Sequence, residues 1–152
     1  MNNINIRKAK EEDLPYIISL LADDELGFLR ENRHDQSAYL ETFKLISEDP
    51  NQELMVAINE DDVMGTFQLS FIPYLTYQGG IRAQIEAVRI HKNFRGQGLG
   101  KMMLEWAIER AKQQAAHLVQ LTTDKQRPDA IRFYEALGFK ASHEGMKLHL
   151  RH

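Results

Sequence analysis

The sequence contains no cysteine among its 152 residues. Disulfides, thiolate metal clusters and covalent catalysis through an enzyme thiol are therefore excluded. Basic charge is not in excess either, because 19 Lys and Arg face 22 Asp and Glu, for a net charge of -3. A broad nucleic-acid-binding surface would need the opposite balance, whereas a local anion site is compatible with this one.

Long hydrophobic runs are also missing. No stretch approaches the roughly 20 apolar residues that a membrane span requires, and the first residues lack the apolar core of a signal peptide. We therefore expect a soluble cytoplasmic protein with neither a membrane nor a nucleic acid as partner. A length of 152 residues and a hydrophobic fraction of 43% are those of one domain, residues 1–152, that can bury a core of its own.

The spacing of apolar residues predicts a mixed α/β protein. Helical spacing and helix-end signals predict helices over about 11–22, from about 36, over about 99–111 and over about 128–137. Alternation and β-branched runs predict strands at 4–7, 54–58, 65–71, 81–90, 118–123, 139–141 and 146–150. This order of elements indicates a mixed sheet with helices on both faces.

The strand over residues 81–90 changes phase near its end. Ile81, Ala83, Ile85 and Ala87 alternate, but Val88 and Ile90 then continue the apolar face one residue out of step. Because side chains alternate strictly along a strand, this slip predicts a β-bulge near Ala87 and Val88. A bulge leaves backbone groups unpaired, and those groups are available to a ligand.

The strongest chemical signal is a glycine-rich stretch between this strand and the next helix. Glycines let a ligand approach the backbone, and the N-terminus of the helix contributes unpaired N–H groups and positive potential, so a pyrophosphate fits. Walker A and Rossmann spacings both fail here, and a tight turn without a ligand remains an alternative. The stretch consists of Arg95, Gly96, Gln97, Gly98, Leu99, Gly100 and Lys101.

Together with a second motif, this stretch carries a family resemblance. Arg95-x-x-Gly98-x-Gly100 is followed by Ala130-x-x-Phe133-Tyr134-x-x-x-Gly138-Phe139, and the pair resembles the GCN5-related N-acetyltransferase (GNAT) family. The resemblance implies a mostly antiparallel, twisted sheet of six or seven strands with helices on both faces. It also implies acetyl-CoA as donor, a small-molecule amine as acceptor and compatibility with a homodimer.

The resemblance implies how acetyl-CoA is bound. Its pyrophosphate would lie on the backbone of residues 95–101, and its pantetheine arm would pair with Val88, Arg89 and Ile90 beside the bulge. Where many members have Asn, this chain has Arg127, which we expect to contact a cofactor phosphate.

Two side chains are candidates for proton transfer during direct attack of the amine on the thioester. A protonated amine must lose a proton before it attacks, and the resemblance implies Glu86 as the general base, because several GNAT members carry a catalytic glutamate at this place in the strand. The alternative is an ordinary strand glutamate that pairs with Arg82, Arg89 or Lys92. Tyr134 is implied as the acid that protonates the leaving sulfur, with simple packing as its alternative. A backbone N–H near Val88 is expected to stabilise the oxyanion.

The acceptor is expected between residues 23–35 and 73–80. Asp23, Asp24 and Glu25 would attract an ammonium group, and Arg30, Arg33 and His34 would hold an acid group. Limited similarity to aminoalkylphosphonate acetyltransferases keeps aminophosphonates and amino acids among the candidates. A protein lysine or N-terminus as acceptor, or a non-catalytic acyl-CoA sensor, are the alternatives. The six histidines lack a metal-ligand spacing, so no metal is expected.

Overall fold

The computed structural model describes residues 3–151, in which helices cover both faces of one sheet. Short 3₁₀ turns at Glu11–Asp13 and Lys92–Phe94 precede α1 and the glycine-rich turn. The elements in chain order are β1 (Ile4–Lys8), α1 (Leu14–Ala22), α2 (Glu25–Arg30), α3 (Ser37–Glu48), β2 (Gln52–Asn59), β3 (Asp62–Pro73), α4 (Thr76–Gly79), β4 (Ile81–Ile90), α5 (Leu99–Gln113), β5 (Leu118–Leu121) and α6 (Pro128–Ala136).

The five strands lie in the order β1-β2-β3-β4-β5. Neighbours from β1 to β4 are antiparallel, and β5 is parallel to β4. On one face, Phe67 and Leu69 of β3 pack with Met103 of α5 in the buried core. Because side chains alternate along a strand, Thr66 and Gln68 point to the other face, where they border a cavity beneath α1 and α3. The expectation of a mixed sheet covered on both faces is confirmed.

A β-bulge lies in β4 where the sequence predicted one. Thr66 of β3 pairs with Arg89 of β4, and Gln68 pairs with Glu86. The single residue between Thr66 and Gln68 therefore lies opposite two residues of β4, Ala87 and Val88. Ala87 has a φ of 54°, in the left-handed region that a side chain disfavours. The bulge turns the end of β4, and it leaves two residues there without a ladder partner in β3.

The same end of β4 also separates from β5. The parallel pairing runs from Arg82, opposite Leu118, to Ile85, opposite Leu121, and stops there. Within residues 3–151, the following five residues of β4 have no strand partner on that side. The sheet therefore opens between β4 and β5 and presents an unpaired backbone edge from Glu86 to Ile90.

The prediction of six or seven strands is wrong, because the structure has five. Residues 139–141 and 146–150 form no strand, and Met146, Leu148 and Leu150 are 95%, 86% and 91% exposed. Their alternation alone is the basis for predicting a strand. A strand also needs a neighbour and a covered face, however, and the single chain supplies neither to this segment.

A short helix, α2, lies within residues 23–35, where the spacing of apolar residues predicted no helix. Asp24 caps it, with Oδ1 accepting a hydrogen bond from the Gly27 N–H at 2.5 Å. Gly27 is required there, since an added Cβ would lie 1.9 Å from the carbonyl oxygen of Leu21. Of the helices among residues 3–151, none has the length and apolar character to cross a membrane.

Candidate active site

The glycine-rich turn lies at the N-terminus of α5. Gly96 and Gly98 have φ values of 75° and 83°, so both adopt the left-handed backbone that glycine tolerates best. An added Cβ at Gly96 would have no atom within 4 Å, which shows that the space over the turn is open. The 15-residue helix directs its first free N–H groups, from Leu99 onward, toward this turn.

Side chains hold the turn against the end of β4. The Arg95 Nε donates a hydrogen bond to the carbonyl oxygen of Ile90 at 3.1 Å. The same guanidinium lies 3.5 Å from the Asp23 carboxylate, in a pair that is about half exposed on both sides. The turn and the unpaired edge of β4 are thus fixed beside each other, and the segment between α1 and α2 adjoins them.

Glu86 lies at the bulge with its side chain exposed. It accepts a hydrogen bond from Gln84, whose own side-chain oxygen accepts one from Gln120 at 2.9 Å. None of Arg82, Arg89 and Lys92 forms a salt bridge with Glu86 within the described residues. The structure therefore places this carboxylate in solvent beside the bulge, where a water molecule can reach it.

Tyr134 lies half-buried on α6, between the rings of Phe133 and Phe139. Burial raises the pKa of its hydroxyl, and the positive charges of Arg89 and Arg127 oppose that effect only in part. The hydroxyl consequently stays protonated in neutral solution, as a proton donor must. The same two arginines converge on Asp24, so α6, β4 and the α1–α2 segment meet around Tyr134.

The two segments expected to bind the acceptor lie in different places. Residues 23 and 24 contact the site through arginines, while the exposed Arg33 and His34 lie farther along the chain. The segment 73–80 lies at the start of β4, where its tyrosines pack against His117. Six residues separate Ile81 from Ala87, which corresponds to roughly 20 Å along a strand. Residues 73–80 therefore do not border the bulge; the side chain of Glu25 is outside the described part.

No metal centre is found among residues 3–151, where no three His, Asp or Glu side chains are grouped to hold an ion. The candidate site consists of a glycine turn, an open strand edge, one exposed carboxylate and one protonated phenol. The edge and the carboxylate both belong to β4, the turn precedes α5 and the phenol lies on α6.

Comparison with known proteins decides the family. Residues 14–139 match the model of the acetyltransferase (GNAT) family, which is most of the chain. This chain belongs to the GNAT acetyltransferase family. The resemblance inferred from the two sequence motifs is thereby confirmed, and this GNAT protein is an acetyl-CoA-dependent acyltransferase.

The chain is similar to two named relatives and to one solved structure. The GNAT chain is 32% identical over 138 residues to the aminoalkylphosphonate N-acetyltransferase of Salmonella typhimurium, covering 91% of this chain and 86% of that protein. It is 31% identical over 88 residues, or 58% of each protein, to the glucosamine 6-phosphate N-acetyltransferase of Trypanosoma brucei brucei. A protein of Bacillus halodurans C-125 named a transcriptional regulator shares 55% identity and a TM-score of 0.94, over 97% of this chain and 99% of that one.

The residues of this GNAT protein fit acetyl-CoA. The open space over Gly96 and the free N–H groups at the start of α5 suit a diphosphate. Beyond the end of β5, the N–H groups of β4 are open to an extended amide-bearing chain, while the carbonyl oxygens of Val88 and Ile90 accept hydrogen bonds from Arg89 and Arg95. When bound, acetyl-CoA supplies an activated acyl carbon and a thiolate leaving group.

Sequence reasoning missed two side chains of the site in this GNAT protein and expected another role for a third. Gln84 contacts Glu86, Gln120 contacts Gln84, and each glutamine is an ordinary strand residue in the sequence. Asp24 was expected to attract an ammonium group, yet its carboxylate is paired with Arg127 at 2.9 Å. No local pattern signals these contacts, because each joins segments that are distant in the chain or depends on the strand register.

Proposed function

We propose that this protein transfers the acetyl group of acetyl-CoA to the primary amine of a small molecule by direct attack of the amine. The observation that carries the proposal is the bulge at Ala87, which lies where β4 loses β5 as a neighbour and next to the glycine-rich turn. This arrangement offers a diphosphate site and an open strand edge in one continuous surface. The absence of cysteine from the sequence is consistent with attack without an acyl-enzyme.

The cofactor is held mainly by backbone. Residues 95–101 bind the diphosphate through N–H groups of the turn and the helix, with Arg95 and Lys101 adding charge. Val88, Arg89 and Ile90 pair with the extended arm through the edge that β5 leaves free. The N–H of Val88, which the bulge frees from β3, donates a hydrogen bond to the acyl oxygen as negative charge develops there.

Proton transfer falls to two side chains. Glu86 is exposed at the bulge, so it accepts the proton of the attacking amine through a water molecule. Tyr134 donates its proton to the sulfur as coenzyme A leaves, because burial keeps its hydroxyl neutral. Within the described residues, that hydroxyl donates to no protein acceptor, so its proton is available to a ligand.

A small acceptor is favoured over a protein. Ala87 borders a partly open, mainly apolar cavity of about 340 Å³ between α1, α3 and the sheet, a size typical of small-ligand sites. The two named relatives act on an aminoalkylphosphonate and on glucosamine 6-phosphate, both small molecules with an amine and a phosphorus acid group. We infer the same general class for this chain.

A thiol-release assay tests the proposal. The protein is incubated with acetyl-CoA and a panel of amines, amino acids, aminophosphonates, polyamines and lysine peptides. Release above the rate of hydrolysis with at least one small amine is the expected result. Faster thiol release with lysine peptides than with small amines would indicate protein acetylation instead of the proposed function. Tight acetyl-CoA binding without any thiol release would indicate a non-catalytic acyl-CoA sensor.

The role of Glu86 has a separate test. Glu86→Gln should lower turnover most at the acidic end of the pH range, where deprotonation of the amine is hardest. Glu109→Gln is the matched control, because Glu109 is exposed on α5 and pairs only with Lys112. A pH profile of Glu86→Gln that matches the wild type in shape and height would remove Glu86 from the mechanism.

A further inference from the structure

Two arginines share one carboxylate beside the proposed reaction centre. The Arg127 Nη2 lies 2.9 Å from the Oδ2 of Asp24, and the Arg89 Nε lies 3.8 Å from the same oxygen. Arg30, whose charge also acts on Arg89, is paired with Glu31 at 3.7 Å. Two positive charges thus face a single negative one, and the group retains an unbalanced positive charge.

This excess charge is largely withdrawn from water. The side chains of Arg89 and Arg127 are only 15% and 26% exposed. The Arg89 Nε is fully buried and has no hydrogen-bond partner among residues 3–151. Burial and the charge of Arg127 both lower the pKa of Arg89, as expected when two positive side chains repel each other away from water. A buried donor and a buried excess charge are both unfavourable, so an incoming anion would stabilise the group.

The position of the group identifies which ligand brings the anion. Arg89 directly follows the two bulged residues of β4. Both arginines act electrostatically on Tyr134, the proposed donor to the leaving sulfur. The diphosphate site, in contrast, is the separate glycine turn at the N-terminus of α5. An anion at Arg89 and Arg127 therefore lies beside the reacting atoms, where the acceptor is bound.

We propose that Arg89 and Arg127 bind the acid group of the acceptor, an oxyanion of the phosphonate, phosphate or carboxylate type. Asp24 is the internal counter-ion that this acid group displaces. The acceptor is therefore a small molecule that carries both a primary amine and an acid. This assignment rests on the proposed acetyl transfer and specifies the acceptor for it.

Asp24 is suited to exchange its partner. Its Oδ1 accepts the hydrogen bond that caps α2, and its Oδ2 contacts the arginines. Asp24→Asn retains an oxygen for the cap and removes the charge, so it separates the two roles of this residue. The variant therefore leaves the arginines without their internal anion while α2 keeps its start.

Matched acceptors provide the first measurement. 2-Aminoethylphosphonate, β-alanine and ethanolamine each present an amine and differ in the phosphonate, carboxylate or hydroxyl group that they carry. Wild-type kcat/KM should be at least about tenfold higher for one of the two acids than for ethanolamine, as expected for a charge-assisted bidentate contact. The comparison of 2-aminoethylphosphonate with β-alanine shows whether the site prefers a phosphonate or a carboxylate. Equal kcat/KM values for all three compounds would overturn the assignment.

Variants provide the second measurement. Arg127→Gln should reduce the ratio of kcat/KM for the preferred acid over ethanolamine at least about tenfold. Arg89→Gln should do the same where it folds, and Arg132→Gln is the matched control. Arg132 is 70% exposed on α6 and pairs with Asp129, so its removal should leave the ratio unchanged. An unchanged ratio in Arg127→Gln, with acetyl-CoA binding weakened instead, would overturn the assignment and move Arg127 to the cofactor.

Asp24→Asn provides the third measurement. Because the acid group no longer competes with a carboxylate, KM for the preferred acid should fall at least about threefold. A residue needed only for structure would raise KM or lower kcat when changed, and either result would contradict the exchange.

Binding measurements keep this inference distinct from the proposed function. If no amine is acetylated, the proposed function fails, and calorimetry with 2-aminoethylphosphonate and ethanolamine still tests the anion site. Tighter binding of the phosphonate, strengthened by Asp24→Asn and weakened by Arg127→Gln, would support the site. Equal affinities for 2-aminoethylphosphonate and ethanolamine in the wild type, Asp24→Asn and Arg127→Gln would overturn the anion site. If ethanolamine and the acids are acetylated equally, the function stands and this inference fails.

Discussion

Two regions of this protein present positive potential to a ligand, and they are built in opposite ways. The glycine-rich turn uses seven consecutive residues and mostly backbone groups, and its arginine, Arg95, is about half exposed. The arginine pair uses the side chains of Arg89 and Arg127, which are largely buried and come from separate segments. The turn is the proposed diphosphate site and is specified by the local sequence, whereas the pair is the proposed acceptor site and depends on the assembled fold.

Both regions also carry an aspartate from the same short segment. Asp23 contacts Arg95 of the turn, and Asp24 contacts the arginine pair. The first contact is long and exposed, so it contributes little to stability. The second is shorter and more buried, and it balances a charge that would otherwise be unfavourable. Two neighbouring residues, Asp23 and Asp24, thus form ion pairs of different energetic weight.

The largest expected effect separates chemistry from cofactor binding. Tyr134→Phe should lower kcat at least about tenfold, because the hydroxyl acts only as the sulfur leaves. The affinity for acetyl-CoA should stay within about twofold of the wild type, since the glycine turn is untouched. Steady-state kinetics and calorimetry measure the two quantities. An unchanged kcat would exclude Tyr134 as the proton donor.

A change in the turn should have the converse effect. Gly98 has a φ of 83°, so Gly98→Ala adds about 1 kcal/mol of backbone strain and should weaken acetyl-CoA binding about fivefold. Gly145→Ala is the control, because Gly145 is exposed and an added Cβ meets nothing within 4 Å. Calorimetry with acetyl-CoA measures both variants. Equal affinities would show that the conformation of this glycine does not support the diphosphate site.

Substitutions of the two aspartates should affect different ligands. Asp23→Asn should strengthen acetyl-CoA binding about twofold at low salt, because it frees Arg95 for the diphosphate. This gain should disappear at about 1 M salt, where the screening length is only about 3 Å. The acceptor KM should not change, in contrast to Asp24→Asn. A reversal of this pattern, with Asp23→Asn affecting the acceptor and not the cofactor, would contradict the separation of the two regions.

The smallest expected effect concerns pH. The pKa of Tyr134 is raised above the ordinary tyrosine value of 10.0 by burial. A donor with a raised pKa keeps its proton below the ordinary value and loses it only as the pH rises through the raised one. Turnover should therefore show no alkaline decline from Tyr134 up to about pH 10. A pH profile of kcat, with Tyr134→Phe as reference, measures this, and a decline near pH 8 that the variant abolishes would refute it.

Much of the backbone was predictable from local patterns. The phase slip at Ala87 predicted the bulge, because a strand can change faces only by inserting a residue. Gly138 directly follows the helix predicted over about 128–137, and its φ of 100° is the left-handed conformation typical of a glycine at a helix end. The turn over residues 95–101 was recognisable because the three glycines and the start of a helix are adjacent in the chain. In each case the physical cause lies within a few residues of its effect.

Contacts between distant segments were not predictable in this way. The role expected for Asp24, attraction of an ammonium group, followed from its charge, but the fold surrounds it with arginines. The exposure of the Glu86 side chain was likewise not evident from its place in a strand. Both outcomes depend on how the α1–α2 segment and the strands pack.

The sequence by itself determined the family, the glycine-rich turn and the distortion of β4, because each is recorded in the spacing of neighbouring residues. Only the tertiary structure decided that β4 separates from β5 after Ile85, that five strands form and that Asp24, Arg89 and Arg127 meet beside Tyr134. The physical reason is that alternation specifies which face a side chain occupies, while the partner across that face is chosen by packing of the whole chain.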